Sequence, residues 1–297
     1  MILRTLVTVI RVGSFSAAGR ELGYTASAVS QQMSGLERQA GIRLFERQAR
    51  RVVPTEAALY LQERSHRLLD LATQIDADIE RLAAGQAGRI RIGSFDSAGR
   101  PIMSQALARF LIRRREVEIS LDEGEPHELF PRVETGDLDV ALGFRYDNVP
   151  TSWPPDIHLT GLLMDQLHLI VHPGHRLASK EQVDLTELRH ERWITNREDT
   201  AASRCLITLA AEAGFEPNIA FRSNSFETVR GFVAQGLGVS LIPELARRTR
   251  DDTVALSISV ELPSRQIVAA TRRVDDNPLT GAFLSAIRHV TKAVSGA

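Results

Sequence analysis

The chain has 297 residues, 43% apolar and 25% charged, with a formal net charge of −1. That is the composition of a folded protein long enough for two or three domains, and it excludes disordered, collagen-like and membrane-spanning classes. The single cysteine, Cys205, excludes an intrachain disulfide and a cysteine-rich zinc site. The net charge hides an asymmetry. Through Ala58 eight arginines face four glutamates, a local charge of about +4, which leaves about −5 on the remainder and points to polyanion binding at one end. The only lysines are Lys180 and Lys292; an arginine excess suits phosphate contacts, but a GC-rich coding bias is the simpler explanation. No signal-peptide pattern follows Met1 and no apolar run has the length of a membrane helix, so a cytoplasmic protein without membrane contact is expected.

Residues 16–33 read as two short helices joined by a tight turn. Ala17, Ala18 and Leu22 give the first an apolar inner face, Gly23 suits a left-handed C-terminal position, and Thr25 suits the N-cap of the second. Val29, Met33 and Leu36 share one face of that second helix. The opposite face carries Ser27, Ser30, Gln31 and Ser34. Hydroxyls and amides both donate and accept, so this charge-poor face suits DNA base edges. The pattern is that of a helix-turn-helix, and also of an ordinary helical hairpin in a core.

Beyond Gly41, Ile42, Leu44 and Phe45 are expected to pack back, while Arg43, Arg47, Arg50 and Arg51 stay exposed. Val52-Val53-Pro54 suggests a short β-ribbon, and together these form a basic wing placed for phosphates, or a solvated basic loop. Thr55 caps the next helix. From Glu56 to Ala84 there is no Pro or Gly, and Leu61, Leu68, Ile75 and Leu82 recur every seven residues with Ala58, Ser65, Ala72 and Ile79 between them. Such a seam pairs with a second copy, or lies on the chain's own globular part.

Gly85-Gln-Ala-Gly88 makes a hinge. Strands are expected at 89–93, 117–121 and 138–142, with helices at 102–112 and 129–134 between them, arguing a parallel α/β sheet. After the break at Pro150, Pro154 and Pro155, strands at 158–163 and 167–171 lead into a second α/β run. It holds strands at 193–194, 219–222 and 239–242 and helices at 201–213 and 226–235. A strand at 266–271 and an amphipathic helix at 278–290 close the chain. Two such lobes leave a cleft at their strand ends, where ligands bind.

In this order the chain resembles the LysR-type transcriptional regulators. The resemblance spans essentially the whole sequence and is carried by Gly13-Ser-Phe-Ser-Ala-Ala18, Leu22-Gly-Tyr-Thr25, Ser27-Ala-Val-Ser30, Leu36-Glu37, Gly41-Ile-Arg-Leu-Phe-Glu-Arg47, Pro54-Thr-Glu-Ala57 and Phe232-Val-Ala-Gln-Gly-Leu-Gly-Val-Ser-Leu-Ile-Pro243. It implies an α+β multi-domain chain: a winged helix-turn-helix at 1–57, a linker and dimerisation helix with its hinge at 58–87, and a two-lobed, periplasmic-binding-protein-like effector domain at 88–297. Lobe I would comprise 88–162 plus 267–297, and lobe II 163–266. Two departures stand out. Ala26 occupies a position where the family often has Gln, so a base contact is lost or passes to Gln31 or Gln32. The segment before Gly13 also looks several residues short, as if helix 1 were truncated or translation began upstream.

The resemblance implies DNA contacts from Thr25, Ser27, Ser30, Gln31 and Gln32 and, in the wing, from Arg50 and Arg51. In the cleft it points to Ser97, Glu125, Thr195, Asn196, Asn224 and Ser225, with Phe144 and Arg145 beside them. Glu125 stands where Thr or Ser is common, which favours a cationic or amino-bearing effector; Arg145 suits a carboxylate. Glu125 and Arg145 also read as exposed rim residues. Cys205 lies in a helical pattern with Leu206 and Leu209 and is expected to be buried and inert. No nucleophile, metal-ligand spacing or dinucleotide fingerprint is evident, so neither catalysis nor a cofactor or metal is expected. The partners implied are a partly palindromic duplex, a small-molecule effector, further copies of the chain as dimer or tetramer, and RNA polymerase. The alternative is a constitutive DNA-binding protein whose α/β domain only oligomerises.

Overall fold

The computed structural model of the chain describes residues 2–48, 51–247 and 252–295, with the side chains of residues 47, 48, 51 and 295 excepted. It divides into two compact units, residues 1–81 and 82–297.

The first unit begins with helices α1 (Ile2–Val12), α2 (Phe15–Leu22) and α3 (Ala26–Ala40). Their core is Leu6, Val9, Ala18, Val29 and Met33, closed by Leu44 and Phe45. Gly23 ends α2 at φ +76°, a conformation that residues with a Cβ resist, and its N–H bonds to the Gly19 carbonyl. The Thr25 hydroxyl then accepts from the Ala28 N–H at 3.1 Å and starts α3 as expected. Strands β1 (Phe45–Gln48) and β2 (Arg51–Pro54) pair antiparallel as the wing. The Glu37 carboxylate fixes its base by accepting from the Leu44 and Phe45 N–H groups at 2.8 and 3.1 Å. Ile42, expected to pack inward, is 44% exposed, because the chain turns in only at Leu44. The helix α4 (Glu56–Ala83) follows.

The second unit opens with β3 (Ala87–Ser94), followed by α5 (Asp96–Ala98), a five-residue π-turn at Gly99–Met103 and α6 (Ser104–Leu111). Then come β4 (Glu116–Glu123), α7 (Pro126–Thr135), β5 (Val140–Tyr146), β6 (Ile157–Asp165), β7 (Leu167–Val171), β8 (Arg192–Thr195), α8 (Ala201–Glu212), β9 (Asn218–Arg222), α9 (Phe226–Ala234), β10 (Ser240–Pro243), β11 (Val254–Leu256), β12 (Arg265–Arg272) and α10 (Pro278–Ser295).

Five strands make the first sheet, in the order β4-β3-β5-β12-β6. β3 runs parallel to β4 and β5, as a strand–helix–strand pattern requires, but β12 is antiparallel to both β5 and β6. The three strands expected to be parallel are so, and β12 makes the complete sheet mixed: it returns from a distant part of the chain and has no crossover helix to fix its direction. α6 and α10 cover one face, with Phe110 and Phe283 edge to face at 5.3 Å. α7 covers the other through Leu129, Phe130 and Val133. Phe130 lies flat on β5 because residue 143 is glycine; a Cβ there would stand 2.3 Å from the ring. In the second lobe β7 lies between β10 and β11, and β8 pairs with β9 around the fully buried Trp193.

The chain leaves the first sheet at Asp165 and re-enters it at Arg265. These two side chains, each 1% exposed, form an ion pair at the crossing. Asp165→Asn leaves the Arg265 guanidinium buried without a counter-charge, at a cost of about 3–5 kcal/mol. Urea unfolding should show a lower midpoint for Asp165→Asn and a much smaller loss for the paired replacement Asp165→Leu with Arg265→Met.

Candidate functional site

On α3, Ser27 and Gln31 are exposed and Ser30 and Ser34 partly so, while Val29 and Met33 are buried beneath them. No charge interrupts this face between Thr25 and Glu37. Gln32 is different: its Oε1 accepts from the Thr5 hydroxyl at 2.8 Å, so the side chain turns toward α1. That bond occupies Oε1 of residue 32 and leaves its Nε2, whereas Gln31 is exposed. Arg50 lies outside the described residues. Arg51 starts β2, and only its backbone is described.

In α4, Ala58 and Ser65 are buried and Leu61 packs on the winged core. Leu68, Leu71, Ile75, Ile79 and Leu82 are 48–57% exposed. Burying an aliphatic side chain of this kind is worth roughly 1.5–3 kcal/mol. The seam predicted from the heptads is thus on the surface of the isolated chain.

In the second unit, the Ser97 hydroxyl, in the short helix α5 that follows β3, accepts from Arg265 Nη2 at 2.9 Å, and Ser97 is 6% exposed. Arg265 also donates to Asp165 through Nε, at 2.9 Å, and Nη2. Its guanidinium sits over the Phe144 and Phe95 rings at 4.9 and 5.3 Å. Ser97 is therefore brought next to Phe144, but its hydroxyl is held by the chain itself. Arg145 points away from Phe144, as alternation along β5 dictates, and donates to Gln266 Oε1 at 2.7 Å. The two neighbours open onto separate cavities, Phe144 onto one of about 610 Å³ and Arg145 onto one of about 480 Å³. Arg145 is not part of the Glu125 cluster.

Glu125 is the N-cap of α7, and its backbone N–H donates to Glu128 Oε2 at 2.8 Å. Its own Oε2 is buried with no hydrogen-bond partner. Burial raises its pKa to about 7, with Glu128 adding to the shift and Arg265 and Arg197 opposing it. From the second lobe Arg197 crosses to Glu128 at 3.4 Å, and Asp199 lies 3.8 Å from His127. Asn224 Oδ1 holds the Arg197 backbone N–H at 2.9 Å. The Ser225 hydroxyl accepts from the Thr228 N–H as the N-cap of α9. Thr195 and Asn196 are buried where β8 ends; their carbonyls accept from Ser223 N–H and Arg222. Asp96 Oδ2 receives the Phe226 N–H at 3.3 Å, a further bond between the lobes.

Sequence reasoning missed Arg197, Asp165 and the cleft role of Arg265. Arg197 directly follows the predicted Thr195-Asn196 pair, and the two others mark the lobe crossings; those positions were the available signal. Cys205 is buried in α8, and burial pushes its thiol up to about 12, so little thiolate exists at neutral pH.

The Glu125 shift has a stability consequence. Its folded-state pKa lies above the unfolded value, so the native state binds more protons between about pH 4.5 and 7 and stability falls as pH rises through that window. Glu125→Gln should be no more stable than the parent at pH 5, more stable at pH 8, and less pH-dependent between the two. Chemical unfolding at the two pH values checks this.

Residues 2–59 match the family model described as bacterial regulatory helix-turn-helix protein, lysR family, and residues 83–292 match the LysR substrate binding domain. The uncharacterised HTH-type transcriptional regulator YybE of Bacillus subtilis is 26% identical, with 96% of this chain and 94% of that protein covered. The HTH-type transcriptional regulator XapR of Escherichia coli is 30% identical, with 82% and 81% covered. Full-length CbnR, in a crystal structure with its target DNA, shares the fold at a TM-score of 0.73 and 22% identity, with 98% of each chain covered.

Proposed function

The chain belongs to the LysR family of transcriptional regulators, with a helix-turn-helix and an effector-binding domain, and on that premise we propose that its DNA binding is controlled by an amine-bearing small molecule seated between the two lobes at Glu125. The observation that carries the effector reading is the buried, unpartnered Glu125 carboxyl oxygen. An ammonium group supplies the missing partner and a charge-assisted bond. Thr195, Asn196, Asn224 and Ser225 line the opposite side, while Ser97 acts through Arg265. The cavity beside Pro126 and His127, walled by Phe130, Phe144 and Trp153, accommodates an apolar body on such a ligand. The ligand changes regulation by favouring one arrangement of the lobes, for which a preference of about 1–3 kcal/mol suffices.

A thermal-shift screen of amine-bearing metabolites tests this. A ligand that stabilises the parent chain and leaves Glu125→Gln unshifted supports the reading; one that stabilises both equally removes the case for an amine. Calorimetry at pH 7 in buffers of different ionisation enthalpy gives a second readout, because ionising Glu125 on binding releases a proton.

DNA is read by α3 and held by the wing. Gln31→Ala should change sequence preference by about 1–3 kcal/mol at one position. Arg50→Ala with Arg51→Ala should weaken all sequences alike and flatten the salt dependence. An unchanged preference profile in Gln31→Ala would place the reading face elsewhere on α3.

The exposed α4 seam pairs two copies, so that two recognition helices meet a partly palindromic site. Replacing Leu68 and Ile75 by Lys should dissociate the oligomer and abolish specific binding with the effector domain still folded; sedimentation velocity reads the result.

A further inference from the structure

We propose that the groove between the end of α6 and α10 is a second ligand site, for a small anion bearing one or more phosphate groups. It shares no lining residue with the cavity beside Glu125. The groove encloses about 410 Å³, and its polar lining is Arg109, Arg113, Arg114, His289 and Ser285, with no carboxylate among the lining residues.

Three observations carry the assignment. First, these arginines lack counter-charges. Arg109 and Arg113 are exposed and make no ion pair among the described residues, and Arg115 adds a further exposed guanidinium beside them. Several other arginines of this unit meet carboxylates, as Arg91 meets Asp139, Arg132 Asp122, Arg176 Glu191 and Arg272 Asp275, whereas here three arginines line one groove with no carboxylate among its lining residues. Second, one member is pre-positioned. Arg114 is partly buried, its Nε donates to the Gly85 carbonyl at 3.0 Å and its guanidinium lies 4.9 Å above the Phe110 ring. It is thereby fixed, with donors left over. Third, two helices contribute: Arg109 lies in the last turn of α6 with Arg113 in the turn just beyond it, and Ser285 and His289 lie four apart on one face of α10.

Compensation of the α6 dipole accounts for one basic residue in the last turn. It does not account for a walled groove or for His289 and Ser285 on another helix. The guanidinium fork matches phosphate oxygens in a bidentate manner, and several forks around one cavity select a polyvalent anion over chloride.

The probe is inorganic pyrophosphate, titrated calorimetrically into the full chain in magnesium-free buffer at moderate salt. The expected result is saturable binding with one site per chain, weakened about tenfold or more in Arg113→Ala and in Arg109→Ala with His289→Ala. The same binding should persist in Arg43→Ala with Arg51→Ala, which removes basic residues of the other unit. All the substituted side chains in the groove are exposed, and an unchanged melting temperature of each free variant verifies that folding is intact. Three results would overturn the site: no saturable binding by the parent; equal binding by the parent and the groove variants; or no pyrophosphate response together with a loss of non-specific duplex affinity in Arg109→Ala/Arg113→Ala, which would make this face a polynucleotide surface.

Discussion

The Arg265 guanidinium is completely enclosed, and what encloses it holds the second unit together. Burying an ion pair is unfavourable unless nearly every donor and acceptor is used. Here Nε and Nη2 reach Asp165, Nη2 also reaches Ser97, the second Asp165 oxygen accepts from the Leu245 N–H at 3.1 Å, and two aromatic rings face the cation. Arg265 starts β12, and the groups gathered around the pair come from α5, the end of β6 and the turn after β10. One charge pair therefore joins both crossings of the chain to both lobes. The residues of the pair are 100 positions apart, so the first sheet cannot be completed until the second lobe has been traversed. Contacts of that separation cost loop-closure entropy before they contribute.

This arrangement decides which polar groups at the lobe boundary remain open to a ligand. Ser97 is satisfied internally and buried, so a molecule that displaced Arg265 from it would have to match a charged hydrogen bond. Glu125 is in the opposite condition: burial raises its pKa to about 7 with no partner for Oε2, and the nearest arginines only oppose the shift. The ion pairs Arg197–Glu128 and His127–Asp199 at the same rim are exposed and long, and pairs of that kind contribute about 0–1 kcal/mol. The rim is thus weakly fastened and the crossing beside it strongly fastened.

The sequence displayed local periodicity and capping well. The α2–α3 turn was legible because Gly23 and Thr25 act on their immediate neighbours, and α4 because seven-residue spacing needs no knowledge of the partner. The direction of β12 was not legible: its strand pattern is the same whether it runs parallel or antiparallel, and only its neighbours decide. The Thr5–Gln32 hydrogen bond was not legible for a similar reason. The position of Gln32 on α3 admits an outward reading, and the Thr5 hydroxyl that draws it inward belongs to another helix. At the cleft, Glu125 was visible as a polar residue ahead of a helix, but Arg265, just before the strand expected at 266–271, gave no local sign of its charge partner. Long-range charge pairing leaves no periodic mark in a sequence.

Satisfaction of groups within the chain separates its structural parts from its working parts. Asp139, though largely enclosed, has its pKa lowered: burial resists ionisation, and the hydrogen bonds and charge of Arg91 outweigh it, so this carboxylate is complete without a ligand. The aliphatic row of α4, the uncharged amide and hydroxyl face of α3 and the Glu125 carboxyl are each incomplete in the isolated chain, in apolar contact, hydrogen bonding and charge respectively. The proposed function supplies what each lacks: a second apolar helix, a row of base edges, a compact cation. Filling these positions with internally satisfied residues would give a more stable monomer with nothing left to recognise, which is the trade a ligand-controlled DNA-binding chain has to make.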